Sequence, residues 1–231
     1  MGISPPIFPP SLLGRFRVIL CDPPWAFRTY SGTDRTPTQK DFTDYRGEAT
    51  DHYPTMSFDD MAALPVADVA AKDCALIMWV VGSHIPEALA LGEAWGFTYK
   101  TDLFYWLKQK MIAADQIGLF DGDIAPPAIS MGYYSRKQLE PVFLFTRGSV
   151  SRLSKGVRQV MIHDQCSCCA APVEQQAIVS PRREHSRKPD VQYERIEAMF
   201  DGPYLEMFAR ATRPGWVAWG NQVGKFDGVV A

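Results

Sequence analysis

Long apolar runs are missing from this chain, and with them the simplest sign of a membrane-spanning helix. No stretch reaches the roughly 18 apolar residues that a helix needs to cross a bilayer. The opening residues, MGISPPIFPPSLLG, lack a charged start followed by an apolar centre, which argues against a secretory signal. Gly2 after Met1 invites N-myristoylation, but Pro6 stands where that motif needs Ser or Thr. Excess charge of either sign is also missing. The formal net charge is -2, so no global field advertises a polyanion partner, and only a local basic patch could serve one. Cysteines number five, an odd count that suits a reducing compartment better than a disulfide framework. The expected location is the cytoplasm.

The chain also lacks internal repeats and a G-x-G-x-x-G dinucleotide fingerprint. What remains is a 231-residue chain with 46% hydrophobic residues, enough for one domain over 1–231 with a sizeable core, and too little for two full ones. Strand-like and helix-like segments alternate, the pattern of an α/β sheet. Residues 16–21 (FRVILC), 75–81 (ALIMWVV), 101–107 and 141–146 (PVFLFT) read as buried strands, with 157–162 as a further candidate. Short strands at 204–208 and 216–219 close the sheet. Helices are expected at 59–64, 85–95 and 191–200. The first has Ser57 as N-cap and Asp60 three residues later; the second has Pro86 in its first turn. Polar intervals at about 28–51, 109–132 and 163–187 follow predicted strands. In open α/β sheets the ligand crevice lies beyond the carboxyl ends of the strands, so loops there would surround a ligand.

Cys21 and Cys74 sit in apolar runs and read as small core residues. Cys166, Cys168 and Cys169 crowd behind His163, but C-x-C-C is poor tetrahedral spacing and no second ligand pair stands at zinc-finger distance. No metal is expected.

The most chemically specific stretch is Asp22-Pro23-Pro24-Trp25, directly after the first strand. One reading is a proline-rich turn followed by a core aromatic. The other is a site for an aromatic amine. An exocyclic amine is a poor nucleophile because its lone pair is delocalised into the ring, so it must be desolvated, aligned and hydrogen-bonded. Asp22 offers an acceptor for one N–H. The Pro23 carbonyl offers another, since proline loses its donor but keeps its acceptor. Two prolines preorganise both acceptors, and Trp25 offers a face on which an unstacked base can rest.

The segments VILCDPPW (18–25), HYPTMSFDDM (52–61), ALIMWVV (75–81), EAWGF (93–97), FYWLKQ (104–109), HSRKPD (185–190), YLEMFAR (204–210) and GWVAWGNQ (215–222) occur in an order that resembles the MT-A family of adenine N6-methyltransferases. That family includes the catalytic subunit of the eukaryotic messenger-RNA adenosine methyltransferase and bacterial and phage DNA enzymes. The resemblance runs almost end to end. It implies a Rossmann-like methyltransferase sheet with helices on both faces, permuted so that the catalytic motif precedes the cofactor motifs, and S-adenosylmethionine as cofactor. It also implies catalytic roles for Asp22, Pro23, Pro24 and Trp25.

Lys188 falls on the family lysine that meets the methionyl carboxylate; by itself it reads as a solvated surface lysine, but Pro189 locks the turn into a helix N-terminus suited to anions. Glu206, Phe208 and Arg210 fall on the family's cofactor strand, where strict alternation would point all three to one face. Ala209 departs from the family's usual glycine, which puts a close backbone approach in doubt. Asn221 and Gln222 match amides suited to ribose hydroxyls, and Asp22 borders the same site. Relatives often carry an acidic residue before the catalytic strand, but here that region is ISPPIFPPS. Tyr53, Lys108 and Glu140, with Trp25, match or neighbour positions lining the target-base pocket; Tyr53 reads equally as a packing residue. Arg28, Arg35, Lys40, Arg46, Arg147, Arg152, Lys155, Arg158, Arg182, Arg183 and Arg187 are candidates for a phosphate-facing rim or for an ordinary solvated surface.

The expected activity is methylation of adenine N6 in DNA, in a bacterial or phage-infected cell. The alternatives are an RNA adenosine methyltransferase and a non-catalytic nucleic-acid-binding partner of an active paralogue. The balanced charge leaves room for a homo-oligomer or a paralogous subunit to supply part of the polymer surface.

Overall fold

A computed structural model describes residues 8–25, 55–109, 139–157, 178–181 and 188–227, with backbone alone for residues 108–109 and 178–181. A short 3-10 turn, Pro10–Leu12, leads into β1 (Phe16–Cys21). There follow α1 (Phe58–Ala62), α2 (Val66–Val69), β2 (Ala70–Trp79), α3 (Ile85–Ala94), β3 (Thr98–Gln109) and β4 (Leu139–Arg147). The last elements are β5 (Ile178–Pro181), α4 (Val191–Met199), β6 (Tyr204–Met207) and β7 (Trp216–Trp219). One seven-stranded sheet has the order β5-β3-β4-β2-β1-β6-β7. Strand β4 runs antiparallel to both of its neighbours; the other described pairings are parallel.

Alternation along the strands sorts the core into two clusters, as a pleated sheet buried on both faces requires. Ile19, Cys21, Leu76, Met78, Phe143, Phe145, Leu205 and Met207 pack beneath α1 and α3, where Met61, Leu91 and Trp95 complete the layer. Val18, Leu20, Ala75, Ile77, Trp79 and Val142 turn to the opposite face and meet Tyr193, Ile196 and Met199 of α4. Helices on both faces of a largely parallel sheet give the α/β class read from the sequence. Cys21 and Cys74 are buried free thiols within these layers.

Local chemistry starts the helices where expected. Ser57 caps α1, its Oγ accepting from the Asp60 backbone N–H at 3.1 Å and donating to the Asp60 carboxylate at 2.7 Å. Pro86 occupies the first turn of α3, where its missing N–H has no partner to lose. Two elements escaped the sequence reading. Helix α2 is a single turn, too short for a periodic signal. Strand β5 lies inside the third polar interval, so 163–187 is not loop throughout. Val157 has no regular structure, and the rest of the expected 157–162 strand lies outside the described residues. All of 28–51 and 110–132 does too, as do His163, Cys166, Cys168 and Cys169. Among the described residues no cluster suits a metal ion, and no helix is long and apolar enough to cross a membrane.

The chain order fixes where a ligand can sit. β1 leads through α1 and α2 to β2 on one side, whereas α4 leads to β6 on the other. The carboxyl ends of β1 and β6 therefore face a crevice at a topological switch point.

Glycine has one essential role in holding the layer on the α3 side. A Cβ at Gly92 would overlap the ring of Phe145, which is fully buried. Gly92→Ala should gain about 1 kcal/mol of helix propensity but lose more to overpacking, which costs about 1–3 kcal/mol. With no room for the ring to yield, the clash prevails. Thermal unfolding should show a lower Tm, by about 2–6 °C.

Candidate active site

Asp22 is the first residue beyond β1, and the register Leu20↔Glu206 and Cys21↔Met207 brings the end of β6 alongside it. Leu20, Asp22, Trp79, Lys188, Gln192, Tyr193, Glu206, Phe208, Arg210 and Phe226 are among the residues lining the crevice between them. Two cations meet at one carboxylate, Asp22. The Lys188 ammonium lies 3.0 Å from Asp22 Oδ2 and 3.5 Å from Glu140 Oε2, and Arg210 Nη2 lies 3.5 Å from the same Asp22 oxygen. Lys188 also stands 5.1 Å above the Trp79 ring, whose indole N–H donates to Gln192 Oε1 at 2.7 Å. Burial works against the ammonium, but Asp22 and Glu140 more than offset it and hold Lys188 above the ordinary lysine range.

Glu140 reaches the crevice because β4 is reversed. The start of β4 lies level with the ends of its neighbours, Val142 opposite Trp79 and Glu140 opposite Trp106. The same reversal carries Arg147 to the other edge of the sheet, opposite Cys74, where it donates to the Ala67 carbonyl at 2.7 Å. Arg152 and Lys155 flank Leu153, whose N–H bonds Met199 at the end of α4, again at the far edge. Those three residues therefore do not join a rim around Asp22. The remaining basic candidates, Arg28, Arg35, Lys40, Arg46, Arg158, Arg182, Arg183 and Arg187, lie outside the described residues, as does Tyr53. Lys108 pairs through its backbone with Ser180 near the end of β3, at the crevice edge of the sheet.

The structure corrects the expected part of Trp25. Its ring is 3% exposed and belongs to the cluster under α1 and α3, tilted against His84 at 5.7 Å. It is a packed side chain rather than an open stacking face, because a parallel bridge to Met56 draws this segment down onto that layer. Its buried indole N–H finds no acceptor among the described residues. The two prolines do fix a tight turn. The Trp25 N–H donates to the Pro23 carbonyl at 2.8 Å, and the Pro24 carbonyl accepts from Met56 at 3.0 Å. One lone pair of the Pro23 oxygen is thus committed and one remains.

A second correction concerns the alternation along β6. The strand ends at Met207, and Phe208 has φ 59°, a left-handed conformation rare outside glycine. Glu206 faces the α4 side, where it meets Tyr193, but Phe208 turns toward the opposite cluster and contacts Trp219 edge-on at 6.0 Å. Phe208 still forms part of the crevice wall. Such strained conformations concentrate at functional sites. The close approach expected of a glycine survives at a neighbouring position. Ala209 is fully buried, its N–H donates to the Trp219 carbonyl at 3.0 Å, and a Cβ on Gly220 would stand 2.9 Å from its backbone. Gly220 supplies the room that Ala209 does not. Asn221 and Gln222 follow in the turn after β7; they are not among the crevice-lining residues, and Gln222 Oε1 instead lies 3.5 Å from Lys225 Nζ. Phe226, in the same turn, closes the wall and lies 5.5 Å from the Arg210 guanidinium. Phe8 fills the ground before β1, 4.6 Å from Trp219.

Sequence reasoning missed Trp79, Gln192, Tyr193 and Phe226 as crevice residues. Tyr193 lies five residues after Lys188 on α4, so helix geometry beyond Lys188-Pro189 was the available signal.

An open α/β sheet with acidic, cationic and aromatic groups converging at its switch point has the arrangement of a ligand-binding α/β protein. The match to a family model narrows this: residues 16–222 fit the MT-A70 model, and the chain belongs to the MT-A70 methyltransferase family. It is 28% identical to the Type II methyltransferase M.MunI of Mycoplasma sp, over 94% of this chain and 82% of that protein. It is 25% identical to the human N(6)-adenine-specific methyltransferase METTL4, over 93% of this chain and 39% of that protein. For the human N(6)-adenosine-methyltransferase catalytic subunit METTL3 the identity is 24%, over 95% and 30%. The chain thus spans most of the Mycoplasma protein and less than half of the two human ones.

Glu206 makes the site pH-sensitive. Burial pushes its carboxyl up from 4.5 to about 7; the Tyr193 hydrogen bond opposes this, Asp22 adds to it, and Arg210 and Arg213 pull it back. A folded value above the unfolded one means this stabilising contribution is complete below about pH 4.5 and lost as pH rises through about 7. Allowing for partial exposure to water, the loss is about 2 kcal/mol. Tm measured from pH 5 to pH 8 should fall further in the native chain than in Glu206→Gln, by about 4–8 °C. Parallel profiles would show that Glu206 does not titrate in this window.

Proposed function

We propose that this chain is an S-adenosylmethionine-dependent methyltransferase that acts on the N6 amine of adenine in DNA. The observation that carries the reading is Asp22 in the switch-point crevice, two residues beyond the strand partner of Glu206 and directly before the closed Pro23–Trp25 turn.

The donor set fits the cofactor. Glu206, with one oxygen held by Tyr193, has the other for hydroxyl or amino hydrogens. Leu20, Phe208 and Phe226 give apolar wall. Lys188 has three N–H donors, of which Asp22 and Glu140 occupy two, leaving one for a carboxylate. Asn221 and Gln222, in the turn after β7, are assigned to the ribose hydroxyls by their place in the family pattern alone. When bound, S-adenosylmethionine supplies an electrophilic methyl group on a sulfonium. Asp22 receives both of its cationic partners on Oδ2, so Oδ1 is the acceptor for one amine N–H. The second lone pair of the Pro23 oxygen takes the other. These two acceptors shift charge onto the amine nitrogen, and the closed turn holds them without reorganisation. Glu140 and Lys108 stand at the mouth on the β3–β4 side. Tyr53, by its place in the family pattern, belongs to the same pocket. The span shared with the Mycoplasma type II methyltransferase supports DNA over RNA as the polymer.

Incubation of the full chain with methyl-labelled S-adenosylmethionine and matched DNA and RNA tests this directly. Label should appear in DNA as N6-methyladenine; label confined to RNA or to cytosine overturns the assignment. Asp22→Asn keeps the side chain's shape but removes its charge. It should lower transfer by at least about 100-fold, on the scale of losing one preorganised group, while cofactor binding by calorimetry stays within a few-fold. Transfer at the native rate would remove Asp22 from the mechanism.

A further inference from the structure

Behind the crevice lies a chain of aromatic and charged side chains that the methyltransferase reading leaves unused. The Tyr193 hydroxyl donates to Glu206 Oε2 at 3.0 Å. Its ring is gripped from two sides: the Arg213 guanidinium lies 4.6 Å from its centroid and Trp216 meets it edge-on at 5.2 Å. Trp216 is fixed in turn, its indole N–H donating to Glu197 Oε1 at 2.7 Å and its ring stacked on Tyr204 at 4.7 Å. Arg213 Nε closes the circuit 3.8 Å from the same Glu197 oxygen. Tyr193 and Trp216 are both 8% exposed. The result is a hydroxyl with one proton, one rotamer and one acceptor.

We propose that Tyr193 is a positioning residue for the cofactor, locking the Glu206 carboxylate so that its second oxygen meets the hydroxyl or amino hydrogens of S-adenosylmethionine. This rests on the cofactor assignment above and deepens it. A free carboxylate on a short side chain has two rotational settings, whereas a carboxylate with one oxygen bonded has its other oxygen aimed. A hydroxyl donor also favours the ionised acceptor, the form that can receive two hydrogens at once.

The charged and titratable groups around Glu206 are Tyr193 from α4, Asp22 from the end of β1, and Arg210 and Arg213 from the segment after β6. Its β7 ladder partner, Ala218, brings no charge. Burial and the neighbouring Glu206 push the Tyr193 phenol far above its ordinary value, so it remains a donor throughout the working range. Tyr193 donates a hydrogen bond to Glu206 and forms no ion pair with the reacting carboxylate Asp22, whereas Arg210 does. Removing its hydroxyl therefore separates the aiming of Glu206 from the rest of the site.

The test is calorimetric titration of the full chain with S-adenosylmethionine from pH 6 to pH 9. In the native chain affinity should decline as pH falls through about 7, where Glu206 takes up its proton. Tyr193→Phe should weaken binding at pH 7.5 by about 10-fold or more, the scale of one hydrogen bond to a charged group. It should also move the pH midpoint upward, since the lost bond no longer favours the carboxylate. In a Glu206→Gln background, Tyr193→Phe should add less than about twofold, because the two residues act as one unit. An unchanged midpoint, or an equal loss in both backgrounds, overturns the positioning role. If Tyr193→Phe fails to fold, Trp216→Phe loosens the ring while leaving the hydroxyl; it must shift the midpoint upward by a smaller amount, and an unshifted midpoint overturns the proposal. Absence of binding by the native chain refutes the cofactor assignment itself. That outcome is distinct from native binding with an indifferent Tyr193 variant.

Discussion

The parallel pairing of β1 with β6 is the constraint on which the rest of this molecule depends. It joins residues nearly 190 positions apart in the chain, and its register leaves no slack. Leu20 opposite Glu206 and Cys21 opposite Met207 put the two strands in step, so Asp22 and Phe208 leave the sheet side by side. A slip of one residue would turn Glu206 into the layer beneath α3 and bring Leu205 to the crevice. The apolar partners on both faces make that slip costly. Ile19 and Leu205 are each fully buried on one side, and Leu20 and Ile196 on the other.

Within the crevice, charge is arranged for near-cancellation rather than for attraction. Asp22 and Glu140 share Lys188, and Arg210 adds a second cation to Asp22. Partly buried ions tolerate such a setting only when each has a partner, because desolvation costs several kcal/mol per ion. Glu206 is the exception that shows the rule: without a salt bridge among the described residues, it rises to about 7 despite the Tyr193 bond. The site therefore holds one carboxylate strongly committed to cations and another close to neutrality at physiological pH. A carboxyl raised by burial in a crevice lined with charged groups is a common sign of a functional site.

Much of this was legible in the sequence, and the exceptions share a cause. β1, β7 and α4 could be read from continuous apolar runs and helical spacing, and Asp22, Lys188 and Glu206 from ordered motifs; all three side chains meet in one crevice. Errors arose where local pattern and tertiary direction part company. Trp25 read as an exposed platform because its neighbours carry chemistry, yet the Met56 bridge buries it. Phe208 read as the partner of Glu206 because alternation assumes an unbroken strand, and no pattern announces a positive φ at a phenylalanine. Arg147 and Glu140 read as possible neighbours of one site, yet the reversal of β4 separates them by the height of the sheet. Strand direction is a property of pairing, and a single chain's composition does not record it.

That reversed strand carries one more implication. Because β3 runs toward the crevice and β4 runs away from it, the interval of 110–138 leaves and re-enters the sheet at the same edge, clamped by Leu107 opposite Leu139. The interval of 26–54 is held likewise, Trp25 bridged to Met56. In both cases the flanking residues are tied to each other by the scaffold, in parallel for Trp25 and Met56 and antiparallel for Leu107 and Leu139. Doubling the length of such an insertion costs only about 0.6 kcal/mol in closure entropy. Lineages can therefore exchange or lengthen these two cassettes almost without charge to the sheet. Change within these two intervals is thereby uncoupled from the pairings that hold the sheet together.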